Sequence, residues 1–552
     1  MKQFKKICLA FLIFLLVFYP PLLLLKKINI AAPFQYFAAD VFYYLAVADN
    51  SIDMPYFTFD GTRPTNGFHP FWQYYLTFVF KLFDSFSDQS NQIFFAFVSS
   101  IVLTAFGTAL FGLAVFRLTH RFALSLLAAV PGIYYLLFSR IIPHYGSTWS
   151  FINGMESPSS IFFFGLLLYL IFSPDQTLKF NPKRVVVLSA LLTAVVLCRL
   201  DDIFIFGPFF VYICFLPDKT SRFKLLLAFI FPPVSLIGMY LLYNLSYSGM
   251  LLPVSGMVKG GSIELISNIK ALLLAFCPLT FFSETWTHAW KHGTWRILQL
   301  VVPLIAASIW LSGEVIRRRG RIFFRAGNHR DAISLLCGYV ILKGCYNIFA
   351  VPLWQQGHWY FPLNIMIFNL LGAWFISRHL RNTPSKRLAA ALTAIAILWI
   401  ILLANSFTSL KLTSGYNLAY FNFWKGRKEL NQKLKRVIPG EGLLSFDDGI
   451  ICYALGQPVM SGLGYCLDKE AFQAFRKGRL LDIAYRRGFN NLTSYYYLQL
   501  PEKPPISGRL LKRKLASCFF LSGQKLENWR FSIAWRPEKA TWAIVKFEPE
   551  DK

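Results

Sequence analysis

Long apolar runs separated by short polar segments are the feature that most constrains how this chain can fold. A helix needs about 20 mainly apolar residues to cross the hydrocarbon core of a bilayer, so the runs predict about eleven membrane-spanning helices. They lie within 1–27 and near 92–116, 123–138, 158–173, 185–200, 203–216, 223–245, 297–316, 332–351, 358–377 and 387–406. We interpret the first run as an uncleaved helix, because it has no small-residue cleavage site and further runs follow it.

Composition and charge agree with a membrane protein. The chain is 55% hydrophobic and 15% charged, with a net charge of +28, which is too apolar for a soluble domain. Much of the positive charge lies in short loops between the apolar runs, at 117–122, 173–184, 217–224, 317–331 and 377–387. The positive-inside rule then predicts a cytoplasmic N-terminus. Topology explains the charge, and no nucleic-acid-binding motif occurs, so we expect no nucleic-acid partner.

The pattern changes after about residue 405, where short strand-like and helix-like segments replace the apolar runs. KEAFQAFRKGRLLDIAYRRG (469–488) has helical spacing, and the alternation in ATWAIVKFE (540–548) predicts a late strand. We predict a transmembrane domain over 1–407, with a first outer loop at about 26–91, and a small extracytoplasmic α/β domain over 408–552. Long segments cross the membrane largely regardless of charge, so the basic tail is compatible with that placement. Outside the cytoplasm, a disulfide between Cys452 and Cys466 is one option.

Polar residues gather in the loops predicted to face outward. The first of these loops contains ADVFYYLAVADN (39–50) and FTFDGTRPTNGFHPFW (57–72). Polar groups at a membrane boundary cost free energy unless they are paired or hydrated, so the clustering indicates an active site or a binding cleft. The candidates are Asp40, Asp60, Asn66, His69, Glu156, Arg199, Lys259 and His358.

Most of these candidates also have a structural interpretation, which the sequence leaves open. Asp60 and Asn66 could simply form turns, and Asp40 could cap a helix. Arg199 could form a structural ion pair with Asp201 or Asp202. Lys259 could anchor at the lipid headgroups, and His358 could belong to an aromatic belt with Trp359 and Tyr360.

The two first-loop stretches resemble the first extracytoplasmic loop of bacterial membrane glycosyltransferases of the GT-C fold class. That class includes arabinofuranosyltransferase-like and lipid A aminoarabinose transferase-like proteins and, more distantly, the protein mannosyltransferases. Further segments are similar to ones that recur in such proteins, in the same order along nearly the whole chain: INGMESP, CRLDD, LLPVSGMVK, GHWYF and SFDDGIICYALGQPVMSGLG. The resemblance implies an α-helical polytopic fold of GT-C type in the bacterial cytoplasmic membrane.

The resemblance also implies an activity. Such enzymes take a sugar from a polyprenyl-phosphate carrier and pass it to a glycan, lipid or protein acceptor at the outer face of the membrane. An acid in the first outer loop is the catalytic base, and this role maps onto Asp40. The family often has two adjacent acids at this place, whereas this chain has Ala39 followed by Asp40.

The residue types suit that chemistry. A carboxylate at a partly dry boundary can accept the proton of the attacking hydroxyl, and a departing phosphate calls for cations or hydrogen-bond donors. We expect Arg199, Lys259 and His358 to contact the phosphate, and Asp60, Asn66, His69 and Glu156 to contact the sugar. A divalent metal held through Asp40, Glu156 or His69 is a further option, although no diagnostic metal spacing occurs.

Two other functions are compatible with the sequence. A transporter or flippase for a lipid-linked saccharide would share the helices, but its charged or Gly/Pro-interrupted spans are expected near the middle of the membrane. A non-catalytic, degenerate relative of the glycosyltransferases is the second alternative, and Ala39 is the observation that supports it.

Overall fold

The structure is a computed structural model. It describes residues 2–129, 151–173, 181–216, 219–259, 265–276, 294–317, 329–352, 358–382, 415–446, 449–493, 508–516, 525–536 and 543–550.

Helices account for most of the described residues before residue 383. They are α1 Lys2–Ile28, α2 Ala31–Tyr36, α3 Val41–Asn50, α4 Pro70–Leu82, α5 Gln89–Thr119, α6 Phe122–Ala129, α7 Ser157–Ile171, α8 Pro182–Cys198, α9 Phe206–Cys214, α10 Lys219–Ser248, α11 Val254–Lys259, α12 Leu265–Phe276, α13 Thr294–Arg317, α14 His329–Phe349 and α15 Pro362–Asn382. Short 3₁₀ helices lie at Asp84–Ser87, Leu200–Ile205 and His358–Tyr360.

Within the described ranges, four segments are long and apolar enough to cross a membrane: Gln89–Thr119, Arg222–Ser248, Leu300–Arg317 and His329–Phe349. They confirm the prediction of an integral, multi-pass membrane protein. The runs predicted near 158–173, 185–200 and 203–216 are also helical, but as the shorter helices α7, α8 and α9. The run predicted near 387–406 lies outside the described residues, as does part of the run near 123–138.

Helices α5 and α7 approach each other closely because each presents a glycine at the crossing. A Cβ atom on Gly107 would lie 2.7 Å from the carbonyl oxygen of Ile161, and a Cβ on Gly165 would overlap the carbonyl oxygen of Gly107. Membrane helices commonly gain contact area at such small residues, because the backbones can then pack directly together.

Replacing Gly165 with alanine is therefore expected to lower the melting temperature of the protein in detergent, although alanine is the better helix former by about 1 kcal/mol. Gly238→Ala in α10 is the matched control, because a Cβ at Gly238 has no neighbouring atom within 4 Å. We expect the control to melt at the wild-type temperature or above it. Equal melting temperatures for the two variants would contradict close packing at Gly165.

The chain divides into two compact units. The first comprises Met1–Phe37, Phe94–Met239 and Lys259–Ser414, and the second comprises Ala38–Ile93, Tyr240–Val258 and Gly415–Lys552. Most of the first outer loop therefore belongs to the same unit as the C-terminal segment. The domain boundary predicted between 407 and 408 lies outside the described residues.

The C-terminal segment contains a mixed sheet, as predicted for an α/β region. Its elements are α16 Gly415–Val437, β1 Leu443–Ser445, α17 Ile450–Ala454, β2 Val459–Ser461, α18 Lys469–Arg476, α19 Leu480–Arg486, β3 Asn491–Thr493, α20 Gly508–Ala516, β4 Trp529–Trp535 and β5 Ile544–Pro549. The five strands have the order β2-β1-β3-β5-β4. Strand β1 is parallel to β2 and β3, and β5 is antiparallel to β3 and β4.

The segment with helical spacing at 469–488 forms two helices, α18 and α19. Gly478 adopts a φ of +69° after α18, and the Arg479 N–H donates to the carbonyl oxygen of Ala474 at 2.8 Å. A left-handed glycine with such a return hydrogen bond ends a helix. The same backbone reversal places Arg479 at the start of α19.

Candidate active site

Helix α3 is the centre of the first-loop candidates Asp40, Asp60, Asn66 and His69, which lie in the second unit. Its residues from Val41 to Ala48 are all buried, so it is enclosed on every side, which is unusual for a helix of a loop. Aromatic rings surround it: Tyr43 lies 5.5 Å from Phe59 and 6.0 Å from Tyr465 between ring centroids. The continuous apolar run after Asp40 is thus explained by complete burial.

The C-terminal segment packs directly on α3. A Cβ atom on Gly449 would overlap the backbone of Phe42 and Tyr43, and one on Gly67 would overlap the carbonyl oxygen of Tyr465. Glycine is therefore required at both positions for this approach. Two other stretches singled out from the sequence, FTFDGTRPTNGFHPFW and SFDDGIICYALGQPVMSGLG, pack on this helix within the same unit. The first part of LLPVSGMVK joins them through Asn66.

Asp40 lies at the N-cap position of α3 and is half-exposed. Among the described residues its side chain makes no capping hydrogen bond, so the helix-cap interpretation is not supported. Burial, and secondly the negative charge of Asp40, raise the pKa of the Cys466 thiol. Asp40 is thus a carboxylate at the edge of a mainly aromatic and apolar enclosure.

The thiols of Cys452 and Cys466 are both buried and both free. The disulfide considered from the sequence is therefore absent from the structure. The Cys466 thiol raises the pKa of Cys452 electrostatically, after burial and the charge of Asp60, so the two side chains lie in the same neighbourhood. A raised pKa keeps both thiols neutral at physiological pH.

Asp60 lies in a turn, as the structural interpretation of Asp60 and Gly61 predicted. Its Oδ1 atom accepts hydrogen bonds from the backbone N–H groups of Thr62 at 2.8 Å and Arg63 at 2.9 Å, and Gly61 has a φ of +77°. An aspartate that accepts from the backbone two residues on is typical of such turns. His69 is half-buried, and its backbone N–H donates to the hydroxyl of Tyr44 at 3.4 Å, just before α4 begins at Pro70.

Asn66 joins the first loop to the segment that follows α10. Its buried Nδ2 group donates to the carbonyl oxygens of Met250 and Leu252, both at 3.1 Å. Its Oδ1 atom accepts from the Val254 N–H at 3.1 Å. Three hydrogen bonds to one backbone segment make Asn66 a residue that positions the loop.

Replacing Asn66 with alanine would remove three hydrogen bonds, and it would leave the buried Val254 N–H without its acceptor and the Met250 carbonyl with only the Ser248 hydroxyl at 3.4 Å. We expect a loss of stability of about 1–3 kcal/mol, the usual cost of buried groups left unpaired, measured as a lower melting temperature in detergent. Asn91→Ala is the matched control, because the Asn91 amide donates to the Ser85 carbonyl at an exposed position. A melting temperature for Asn66→Ala equal to that of the control would contradict this role.

Sequence analysis missed the polar contacts made by Asp49. The two carboxylate oxygens of Asp49 accept from the amides of Gln89 at 3.2 Å and Gln92 at 2.6 Å. The Tyr453 hydroxyl in turn donates to Oε1 of Gln92 at 3.0 Å. These contacts tie the end of α3 to the start of α5 and to α17. The sequence feature that could have pointed to Asp49 is a lone acid at the end of an otherwise apolar stretch.

A second group of candidates lies in the first unit and is built around Arg199, directly after α8. Its Nη1 atom donates to Glu156 Oε1 at 2.6 Å and to the Trp359 carbonyl oxygen at 2.8 Å. Its Nη2 atom contacts Asp201 Oδ2 at 3.2 Å, and its guanidinium carbon lies 4.5 Å from the centre of the Tyr360 ring. INGMESP, CRLDD and GHWYF therefore meet at Arg199 within the first unit.

The ion pair between Arg199 and Glu156 is enclosed, with each side chain only 1% exposed. Asp201 also pairs with Arg199, as the structural interpretation of that residue proposed. Buried charges require such partners, because the loss of hydration is otherwise not compensated.

The same network extends to two residues of α14 that sequence analysis missed, Tyr339 and Lys343. Lys343 forms an ion pair with Asp202 Oδ1 and lies 3.5 Å from Asp201 Oδ2. The Tyr339 hydroxyl donates to Asp202 Oδ1 at 2.6 Å. Lys343 was detectable in principle, since a lysine inside a predicted span is an indication of function or of a buried partner.

We call this network the buried charge cluster; its members are Glu156, Arg199, Asp201, Asp202, Tyr339 and Lys343. Three carboxylates face two cations in it, so negative charge is in excess if all five groups are ionised. Within the described part of the chain, Asp202 Oδ2 is buried and makes no hydrogen bond. The enclosure fixes the orientation of Arg199 very tightly.

The remaining candidates, Lys259 and His358, are located by their backbones only. Lys259 is the last residue of α11, and His358 begins the 3₁₀ helix His358–Tyr360. Among the described residues, no group of three His, Cys, Asp or Glu side chains is arranged to hold a metal ion. Asp40 and His69 belong to the second unit and Glu156 to the first.

Together, the fold and the two groups define a multi-pass, mainly helical membrane protein with a mixed sheet near its C-terminus. Protein-family models and curated protein sequences give no match to the chain.

Among solved structures, the chain is similar to the oligosaccharyltransferase of Archaeoglobus fulgidus. The form tethered to an acceptor peptide aligns with a TM-score of 0.44 at 12% identity, over 94% of this chain and 70% of that chain. The form with zinc and sulfate aligns with a TM-score of 0.43 at 13% identity, over 92% and 69% of the two chains.

Proposed function

We propose that this protein is a membrane glycosyltransferase of the GT-C class. It would move a sugar from a polyprenyl-phosphate donor to an acceptor at the outer face of the cytoplasmic membrane, with the N-terminus inside. The observation that carries the proposal is the environment of Asp40. The buried helix α3 lies within one of the stretches that resemble segments of that class, and two others pack on it, through Phe59 and Gly449. Asp40 stands at the start of α3 and is half-exposed.

The proposed reaction needs one base and stabilisation of one leaving group. Asp40 would take the proton of the acceptor hydroxyl as its oxygen bonds to the anomeric carbon of the sugar. The bond between the anomeric carbon and the phosphate oxygen breaks, and its electron pair leaves with polyprenyl phosphate. Hydrogen-bond donors and cations directed at that phosphate lower the barrier because they stabilise the charge that develops there.

The other candidate residues have proposed roles that follow from their surroundings. Asp60 and His69 are partly exposed and keep a role in sugar binding, whereas Asn66 would act by positioning the loop. In the first unit, Lys259 and His358 are proposed contacts for phosphate. Arg199 and Glu156 would contribute a fixed local field, because each is already engaged by the other.

A panel of radiolabelled polyprenyl-phosphate sugars, supplied to membranes that contain the protein, tests the proposal. We expect label to move from one donor into an acceptor of the native envelope, with release of polyprenyl phosphate. A transporter would relocate the intact donor without releasing polyprenyl phosphate, and a degenerate protein would leave every donor unchanged. Either result would contradict the proposed activity.

Ala39→Asp restores the adjacent acids of the family and is expected to leave transfer intact or increase it.

A further inference from the structure

A groove of about 650 Å³ runs along the C-terminal sheet, entirely within the second unit. Helices α18 and α19 form one wall, and the beginning of β4 and the end of β5 form the other. A recess of about 170 Å³ beside Gly478 and Lys525 shares Arg479, Asp482 and Trp529 with it. Sites for small molecules usually have volumes of about 300–1,000 Å³, so the groove can hold an extended ligand of a few ring units.

The charged side chains of the groove are of both signs, and two of the acids also pair with bases outside its lining, Glu470 with Arg487 at 2.6 Å and Glu550 with Lys512 at 3.1 Å. Three acids and three bases line it: Glu470, Asp482, Glu550, Lys477, Arg479 and Arg486. Two ion pairs cross the surface, Arg479 with Asp482 at 2.7 Å and Arg486 with Glu470 at 3.3 Å. The three acids of the lining would repel a polyanion such as a nucleic acid, which binds to a continuous surface of positive charge.

Aromatic rings at the base of the groove are held rigidly. The Trp529 ring packs edge-on against Phe547 at 5.3 Å, and it lies 5.7 Å from Tyr485, which also lines the groove. Tyr485 on α19 and Trp529 on β4 are therefore held against each other, and Trp529 presents only 6% of its surface. A ligand that packs on them need not order them first, which lowers the entropic cost of binding.

The groove offers little to an extended peptide. A peptide that adds to a sheet requires a run of free backbone along an edge strand. Strand β4 is an edge strand, but among its described residues Trp529 alone lines the groove. The other lining groups include the exposed amides of Gln473 and Asn528. Carboxylates, guanidinium groups and amides are planar donors and acceptors, suited to pairs of neighbouring hydroxyls.

We propose that this groove binds a neutral oligosaccharide, whose hydroxyls contact the charged and amide groups while its apolar ring faces pack near Tyr485 and Trp529. The binding is inferred from the groove alone. The assignment of that oligosaccharide as the acceptor rests on the proposed function. The groove would then select the acceptor through side chains that take no part in the transfer of the sugar.

Binding of fluorescently labelled neutral tetrasaccharides to the full-length protein in nanodiscs tests the inference. The panel comprises oligomers of glucose, mannose, galactose, arabinose and N-acetylglucosamine, with an acidic oligosaccharide and a decapeptide library for comparison. We expect at least one neutral member to bind, and its Kd to rise about tenfold in Asp482→Asn and in Asn528→Ala. Both positions are on the surface, so both variants are expected to fold.

Glu548→Gln is the matched control, because Glu548 is an exposed acid of β5 in an ion pair with Lys546 and outside the groove lining. Its Kd is expected to equal that of the wild type. The inference fails if no neutral oligosaccharide binds, if only the peptides or the acidic glycan bind, or if both groove variants bind as the control does. Binding with no transfer from any donor would overturn the proposed function and leave the groove assignment standing, whereas transfer without binding would do the reverse.

Discussion

Asp40→Asn is expected to abolish sugar transfer while leaving the protein folded. Asparagine has nearly the same shape as aspartate but cannot accept the proton of the attacking hydroxyl. A positioned general base contributes about 10²–10⁴-fold to a rate, so residual transfer should fall by at least two orders of magnitude. Because asparagine fits the space of aspartate at this half-exposed position, the melting temperature of the variant should stay close to that of the wild type.

The measurement is transfer of radiolabel in membranes, normalised to the amount of folded protein. Asp53→Asn is the matched control, because Asp53 is an exposed acid of the same loop; we expect wild-type transfer from it. Full activity in Asp40→Asn would remove the residue from the reaction. An equal loss in both variants would show that the loop responds to charge in general, and the assignment of a base would not hold.

Lys343→Met is expected to destabilise the protein by about 3–5 kcal/mol, the usual result of breaking one side of a buried ion pair. Lys343 is 1% exposed and its partner Asp202 is fully buried. Without the ammonium group, Asp202 would keep the Tyr339 hydroxyl, and its charge would be poorly compensated. The measurement is unfolding of purified protein, by heat in detergent or by titration with a denaturing detergent.

A double variant makes this prediction specific. Lys343→Met combined with Asp202→Asn removes both charges, and an asparagine can still accept from Tyr339, so we expect most of the lost stability to return. Lys433→Met is the control, since Lys433 and Glu429 form an exposed pair at 3.0 Å and such pairs contribute about 0–1 kcal/mol. A double variant no more stable than Lys343→Met would show that the two charges do not compensate each other.

Several local features could be predicted from the sequence because their causes are local. Asp60 and Gly61 form the turn that their residue types favour. The late strand appears as β5, and the helical spacing at 469–488 appears as α18 and α19. The interruption between those helices was missed, although Gly478 is a residue type that commonly ends a helix. Asp60, Arg199 and Glu156 were noticed because polar residues between apolar runs are conspicuous, whereas Asp49, Tyr339 and Lys343 were missed.

Long-range partners could not be predicted in the same way. The two free thiols at Cys452 and Cys466 contradict a pairing that spacing alone had left open. Asn66 could be recognised as polar, but its role depends on the carbonyl groups of Met250 and Leu252, more than 180 residues away. Hydrogen-bond partners of a buried side chain are decided by which backbone segments pack beside it, and one sequence does not specify this.

Composition and the length of the apolar runs are sufficient to establish a multi-pass membrane protein with an α/β region at its end, because burial in lipid demands about 20 apolar residues per helix. The tertiary structure alone decided that Lys343 pairs with Asp202, 141 residues earlier, and that Arg199 is enclosed by Glu156 and the Trp359 carbonyl. It also decided that the C-terminal segment packs on α3 beside Asp40. The periodicity of a sequence indicates which side of a helix or strand is apolar. The pairing of buried charges depends instead on which distant segments pack together, because a buried charge without a partner is strongly destabilising.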